Sequence, residues 1–400
     1  MDNAGRNVRV TLVASALASG LVFLGVSMTR PLLPLLLRQW GASAPTVGVT
    51  ASLYALLPLV LAIPTGYWID HVGPRRAALL GSLGLGSALA VVAAAPSERA
   101  VAFSQLLAGQ GQLVVVLATQ AAVVSGASGR QLERNVGLLL VSAAVVRILG
   151  PAMGGAIASR WGVLAAFAAA GATTGLAVLP SCLLESRTHA GPAGPARPAL
   201  TAMARVAGWL RREPVMQATV VVTLGVLLGE SVRQVFLPLV LAGRSYGPEV
   251  VGAVASAAGL GSIAARPLLG ELVQAAGGRW RLAVATLAVT ALCAASVPWL
   301  EDPWALGVVA LVWGAASGLW PSLATVLLAE RYRRDEQALA LSVRLTANQL
   351  AELAGPVTAG LIASQWGLGA AFWATALVCA GLVPGITRWT NGKDEARRRA

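Results

Sequence analysis

The chain has 400 residues, of which 56% are hydrophobic and only 12% charged, a balance outside the range of soluble globular proteins. Its net charge of +13 would suit a nucleic acid, but most of the 30 basic residues fall on one side of a series of apolar runs, so no nucleic-acid partner is expected. Cys182, Cys293 and Cys379 all lie inside apolar runs and offer neither a disulfide framework nor a metal site.

Twelve apolar segments follow one another, near 10–37, 45–69, 77–95, 100–124, 136–158, 162–184, 215–242, 248–273, 281–299, 303–329, 338–363 and 368–388. Each has the length that crosses a hydrocarbon core of ~30 Å, and none alternates as barrel strands do, so all are read as helices. The first is long and lacks a clear cleavage site; it reads as a spanning helix rather than a signal peptide, and it carries Arg30. The second runs into "GYWIDHVGPRR", residues 66–76. There Gly66 lets a neighbouring backbone approach, and Gly73-Pro74 makes a turn that starts the next helix. Asp70 can pair with Arg75 or Arg76, although those arginines also serve as plain topology anchors. "GSLGLG" (81–86) echoes a phosphate loop, but no strand precedes it, so it reads as small-residue packing. The fifth segment carries Arg147 and then "GPAMGG", with Gly150, Pro151, Gly154 and Gly155. Residues 185–213 form a linker whose "THAGPAGPARP" cannot stay helical. Ala199 to Arg212 after it suits a helix lying on the inner leaflet.

The seventh segment brings Glu230 and Arg233, the eighth Arg266 in "ARPLLGE". A worn copy of the opening loop, "GELVQAAGGRWR", begins at Gly270 and has Gln274 where the first copy has its carboxylate. Trp313 and Trp320 share a face of the tenth segment, either as an aromatic wall for a substrate or as packing. In the eleventh, Arg344, Asn348 and Glu352 recur four residues apart as one polar stripe, before Gly355-Pro356. An ionised group at the bilayer centre costs at least ~2.5–3.5 kcal/mol, so these charges either line a wet cavity or pair with one another. Trp40, Trp161, Trp299, Trp304 and Trp366 suit the membrane–water boundary.

Charge gives the topology. The even-numbered gaps and both tails hold 21 of the 30 basic residues, among them Arg130, Arg134, Arg331, Arg333, Arg334 and Arg397 to Arg399. The opposite gaps hold four: Arg38, Arg99, Arg160 and Arg244. This asymmetry places both termini in the cytoplasm, and a bacterial inner membrane is the simplest location. The chain also repeats itself. "IASRWGVLAAF" (157–167) returns as "IASQWGLGAAF" (362–372), and Pro34 and Gly48 return as Pro238 and Gly252, 204 residues on. The expected fold is therefore all-α, with twelve transmembrane helices in two pseudo-symmetric six-helix bundles: residues 1–184 and 214–400, joined by the linker 185–213. Duplicated halves place a binding site between them.

With the loop Gly66-x-x-x-Asp70-x-x-Gly73-x-Arg75-Arg76 and its echo, the chain resembles the twelve-helix transporters of the major facilitator superfamily. "GPAMGG" is similar to an element of that superfamily's efflux branch. The resemblance implies alternating access, with Gly66, Asp70, Gly73, Arg75 and Arg76 as a latch between conformations. It also places Arg30 and Glu230 on helices around the cavity. Arg147, Arg233, Trp313, Trp320, Arg344, Asn348 and Glu352 complete the candidate cavity set, and Gly150, Pro151, Gly154, Gly155, Gly355 and Pro356 the bending and packing set. Glu230 and Glu352 are the candidate proton carriers. The surplus of intramembrane arginine favours an anionic, zwitterionic or neutral polar small molecule. Efflux is set against uptake or uniport of an organic anion, and against a non-transporting membrane sensor. No cofactor, no metal and no enzymatic motif are expected, and one chain suffices for the site.

Overall fold

In the computed structural model, residues 2–125, 129–184 and 199–399 are described, and among them every regular element is helical. Arg130, Arg134, Arg334, Arg397 to Arg399, the stretch 188–198, Leu200 and Met203 lie outside the described side chains. The chain begins with α1 (Asp2–Thr29) and α2 (Leu33–Gln39), followed by α3 (Ala44–Val72), α4 (Pro74–Ala94) and α5 (Glu98–Ser125). Next come α6 (Gly129–Trp161), α7 (Val163–Leu176) and α8 (Val178–Ser181). After the linker stand α9 (Ala199–Arg212), α10 (Pro214–Gly243), α11 (Pro248–Ala264) and α12 (Leu269–Ala275). α13 (Arg279–Ser296), α14 (Pro303–Arg331) and α15 (Arg334–Arg399) complete the set.

Nine of the described helices are long and apolar enough to span a membrane, and the bent pair α11 and α12 makes ten. The stretch Leu339–Thr387, counted once there, breaks at Gly367 (φ 85°) and so supplies two spans. With α6 added, the helices are consistent with twelve. Gly162 is the repeat partner of Gly367 and has φ 88°, so both copies of the Trp-Gly turn need a residue without a Cβ. Gly73 (φ 89°) does the same before Pro74, which opens α4 at the position where a missing N–H costs nothing.

Two segments read as continuous are broken. The first splits at Arg30–Leu32, because Pro31 cannot donate to the helical ladder. The eighth bends by 78° between α11 and α12, around Pro267, which biases the preceding Arg266 away from helix; both residues are exposed.

Two compact units emerge. The first comprises Met1–Ala42, Val49–Ala193 and Leu241–Ser256; the second Ser43–Gly48, Gly194–Val240 and Ala257–Ala400. In the first, α4 lies along α5 and α7, and α1 along α6. The phosphate-loop echo is packing: a Cβ on Gly81 would meet Val114 and Val115 at 2.9 Å, and one on Gly86 the Gly175 backbone at 3.0 Å. In the second, Val222, Val226, Leu287, Trp320, Leu323 and Cys379 form a core shared by α10, α13, α14 and α15.

Each unit also carries a hydrogen bond from its first span to its fourth, with the first-span ends, Ser19 and Thr223, 204 residues apart. Ser19 Oγ meets Thr119 Oγ1 at 2.8 Å, and Trp320 Nε1 donates to Thr223 Oγ1 at 2.9 Å.

The linker helix α9 belongs to the second unit and is fastened within it. Arg331 Nη2 donates to Glu213 Oε2 at 2.7 Å, Arg205 pairs with Glu336 at 3.6 Å, and the Trp209 ring stacks 4.6 Å from Tyr332. These ion pairs are partly exposed, so each is worth ~1 kcal/mol or less. The ring contact excludes water from Tyr332, whose hydroxyl is buried without a hydrogen-bond partner. Burial pushes that phenol up to about 12, with Glu213 and Glu336 adding to the rise and Arg331 opposing it. A raised pKa means the folded chain holds the proton more tightly than the unfolded chain does. The associated stability is therefore present below pH ~10 and lost between ~10 and ~12. In Tyr332→Phe the alkaline decline of the thermal midpoint over that window should be shallower than in the wild type, with little change at neutral pH.

Candidate substrate and coupling site

In the second unit, α10 turns Glu230, Arg233 and Gln234 to one side, because residues three and four apart are neighbours on a helix. Arg233 Nη2 donates to Glu230 Oε1 at 2.5 Å and Nε to Oε2 at 3.1 Å, while Gln234 Nε2 donates to Oε1 at 2.8 Å. The Arg233 and Glu230 side chains are 7% and 13% exposed, so this is a buried, forked ion pair. Its two charges cancel within one turn.

The stripe on α15 is different in kind. Arg344 is 8% exposed, and its Nε and Nη1 are buried with no hydrogen-bond partner among the described residues. Asn348, one turn on, leaves its Oδ1 buried and unmatched as well. Glu352, half-buried one turn further, forms no ion pair among the described residues. The helix thus presents a base, an amide and an acid on one stripe, and no described residue pairs with the charge of either end.

Trp313 and Trp320 prove to be packing residues rather than a wall facing an open cavity. Both are fully buried; Trp320 sits in the core and Trp313 meets Phe372 edge-on at 6.4 Å. Small residues around them leave room for the indoles, as at Gly229, where a Cβ would approach Trp313 to 3.4 Å.

In the first unit, Arg30 occupies the break between α1 and α2, with its guanidinium 4.5 Å from the centre of the Tyr54 ring. Gln110 Nε2 donates to Thr65 Oγ1 at 2.7 Å, tying α5 to α3. Arg147 is exposed on α6, one turn before Pro151. Sequence reading overlooked Tyr54, Thr65 and Gln110, since an isolated polar residue in an apolar run carries no pairing signal. It also overlooked the Ser19 and Thr223 pair, which the 204-residue step would have revealed.

The opening loop has the expected turn, but no ion pair among the described residues joins Asp70 to Arg75 or Arg76. Asp70 and Arg76 are exposed, and Arg75 is half-buried. His71 is held through Nδ1 on the Tyr67 carbonyl at 2.8 Å. Gly66 does not admit a neighbouring backbone: a Cβ there would meet nothing within 4 Å.

The Gly-Pro elements do mark close approaches. A Cβ on Gly155 would meet the Pro248 carbonyl oxygen at 2.5 Å, and its repeat partner Gly360 the Ala44 oxygen at 2.7 Å. Gly154 abuts the Met28 carbonyl, while Gly150 and Gly355 abut Ser27 and Ser231. Pro151 and Pro356 present their own carbonyl oxygens to Gly252 and Gly48. Ser256 Oγ donates to the Ile148 carbonyl at 2.6 Å, and Ser231 Oγ to that of Ala351 at 3.2 Å.

The family model of the Major Facilitator Superfamily matches residues 15–232 and 219–399, each stretch taking in one copy of the repeat. The chain belongs to the Major Facilitator Superfamily. Within that superfamily it is 32% identical to the class E tetracycline resistance protein of Escherichia coli over 170 residues, 42% of this chain and 41% of that one. It thus spans about two fifths of that relative's length. Against the multidrug resistance protein MdtG of Citrobacter koseri it is 25% identical over 382 residues, 91% and 90% of the two chains. A mutant form of the nucleoside transporter NupG superposes with a TM-score of 0.80 at 12% identity, covering 94% of this chain and 99% of that one. The superfamily is one of multi-pass membrane transporters, and the described helices of this chain have the length and apolarity of membrane spans.

Proposed function

We propose that this transporter exports a small polar molecule (anionic, zwitterionic or neutral) in exchange for protons, by alternating access across a bacterial inner membrane. The observation that carries this reading is the unequal treatment of the two intramembrane acids. Glu230 is engaged by three donors and neutralised by Arg233. Glu352 stands without an ion-pair partner among the described residues, which leaves it able to gain and lose a proton during transport. We assign Glu352 as the proton site and Glu230 as a structural anchor that keeps Arg233 buried. Export is supported by the resistance proteins among the relatives and by the Gly150-Pro151-x-x-Gly154-Gly155 element. The distribution of basic residues supports a cytoplasmic location for both termini. Gly66, Asp70, Gly73, Arg75 and Arg76 form the conformational latch of a single working chain.

The test uses purified protein in proteoliposomes loaded with a pH-sensitive dye and challenged with anionic, zwitterionic and cationic compounds. Proton movement driven by one class supports exchange. Flux without proton movement would replace exchange with uniport, and proton flow in the same direction as substrate would replace it with symport. Binding without flux would make the protein a sensor.

A further inference from the structure

From the stripe on α15 we infer that Arg344 is the anchor for an anionic group of the substrate, a carboxylate or an acid of similar size, with Asn348 Oδ1 accepting a hydrogen bond from a donor beside it. The inference deepens the transport reading and rests on it.

The argument begins with cost. A guanidinium is always charged, and burying one without a counter-ion is expensive unless something else meets it. Arg344 is 8% exposed, two of its nitrogens have no partner, and no carboxylate of the described residues pairs with it. One turn earlier on the same helix, Ala340 packs into an apolar cluster with Met216, Leu328 and Tyr332, flanked by Leu341 and Val343. The same unit shows the alternative in Arg233, whose charge is fully met by Glu230. A purely structural arginine would be served as Arg233 is. Arg344 instead keeps open donors in a fixed fork, the geometry that carboxylates and phosphates accept. The unmatched acceptor of Asn348 lies one helical turn away on the same face, about 6 Å along the axis. Donors and acceptor together suit a ligand that has an anionic group and a neighbouring hydroxyl or amide N–H. Glu352, a further turn along, would repel a second anionic group, which favours a monoanionic ligand end over a polyanion.

The experiment compares benzoate with benzamide, which share a ring and differ in charge, as additives to the purified full-length chain in detergent. Benzoate should raise the thermal midpoint of the wild type and benzamide should not. In Arg344→Gln the apparent benzoate affinity should fall by about tenfold to a hundredfold, the weight of a charge-assisted hydrogen bond. Arg344→Lys should keep part of it. Arg344→Met should be at least as stable as the wild type without additive, because it removes an uncompensated charge. Equal benzoate shifts in wild type and Arg344→Gln, no shift in wild type, or an Arg344→Met that is destabilised would each overturn the assignment. Transport is scored separately in vesicles with fluorescein and with rhodamine 123, an anionic and a cationic dye on one skeleton. Rhodamine flux without fluorescein flux would overturn the anion assignment and leave transport standing. An Arg344-dependent benzoate shift with no flux of either dye would support the binding site and count against transport.

Discussion

Glu352→Gln is expected to abolish substrate-driven proton movement while leaving a folded, membrane-inserted protein; Glu230→Gln should fail earlier, at folding. Glu352 makes no ion pair among the described residues, so its amide analogue leaves none of them unmatched. Removing the Glu230 carboxylate strands Arg233, which is 6% exposed and bound to both carboxylate oxygens. Breaking a buried pair from one side costs about 3–5 kcal/mol, against near-neutrality when both partners are replaced together by apolar residues. The double variant Glu230→Leu with Arg233→Leu should therefore recover stability that Glu230→Gln loses. Dye-reported proton uptake and thermal midpoints on the same preparations check both halves. A stable Glu230→Gln lacking proton movement, beside an active Glu352→Gln, would reverse the assignment of the two acids.

The second large effect concerns backbone crossings. A Cβ on Gly109 would lie 2.8 Å from the Tyr54 carbonyl carbon, and one on Gly314 2.7 Å from that of Ala258. In each case the obstacle is main chain, which no rotamer change relieves. Gly109→Leu and Gly314→Leu should each lower stability by ~3 kcal/mol or more through overpacking, with reduced membrane yield. Gly84→Ala is the matched control. Nothing lies within 4 Å of its Cβ position, so the better helix propensity of alanine should leave stability unchanged or slightly raised. Thermal unfolding in detergent separates these outcomes, and a tolerated leucine at Gly314 would show that the crossing can open.

Much of this architecture was legible in the sequence because lipid imposes simple rules. Long apolar runs must be helices, basic residues collect on one side, and a Trp-Gly turn that occurs twice betrays a duplication. What stayed hidden depends on contacts between segments. The breaks at Pro31 and Pro267 were missed, since proline is tolerated in some spanning helices, as at Pro58 and Pro151, and breaks others. Trp313 and Trp320 read equally well as ligand wall or core until burial decided it. Glu230 and Glu352 look alike as letters; only the Arg233 fork separates them. Gly66 lies inside a motif, yet the glycines that meet backbone lie elsewhere, at Gly109, Gly252 and Gly314.

The glycine crossings come in pairs: Gly48 with Gly252, Gly109 with Gly314, Gly155 with Gly360. The buried charges do not: among the described residues, Arg233 with its partner Glu230, and Arg344, all stand after the linker, while Arg30 before it is only half-buried. Duplication therefore supplied a scaffold twice and left its copies free to diverge in purpose. A chimera carrying the second repeat of this chain behind the first repeat of a relative should inherit substrate choice from the second, while either parent's first repeat could serve as its frame.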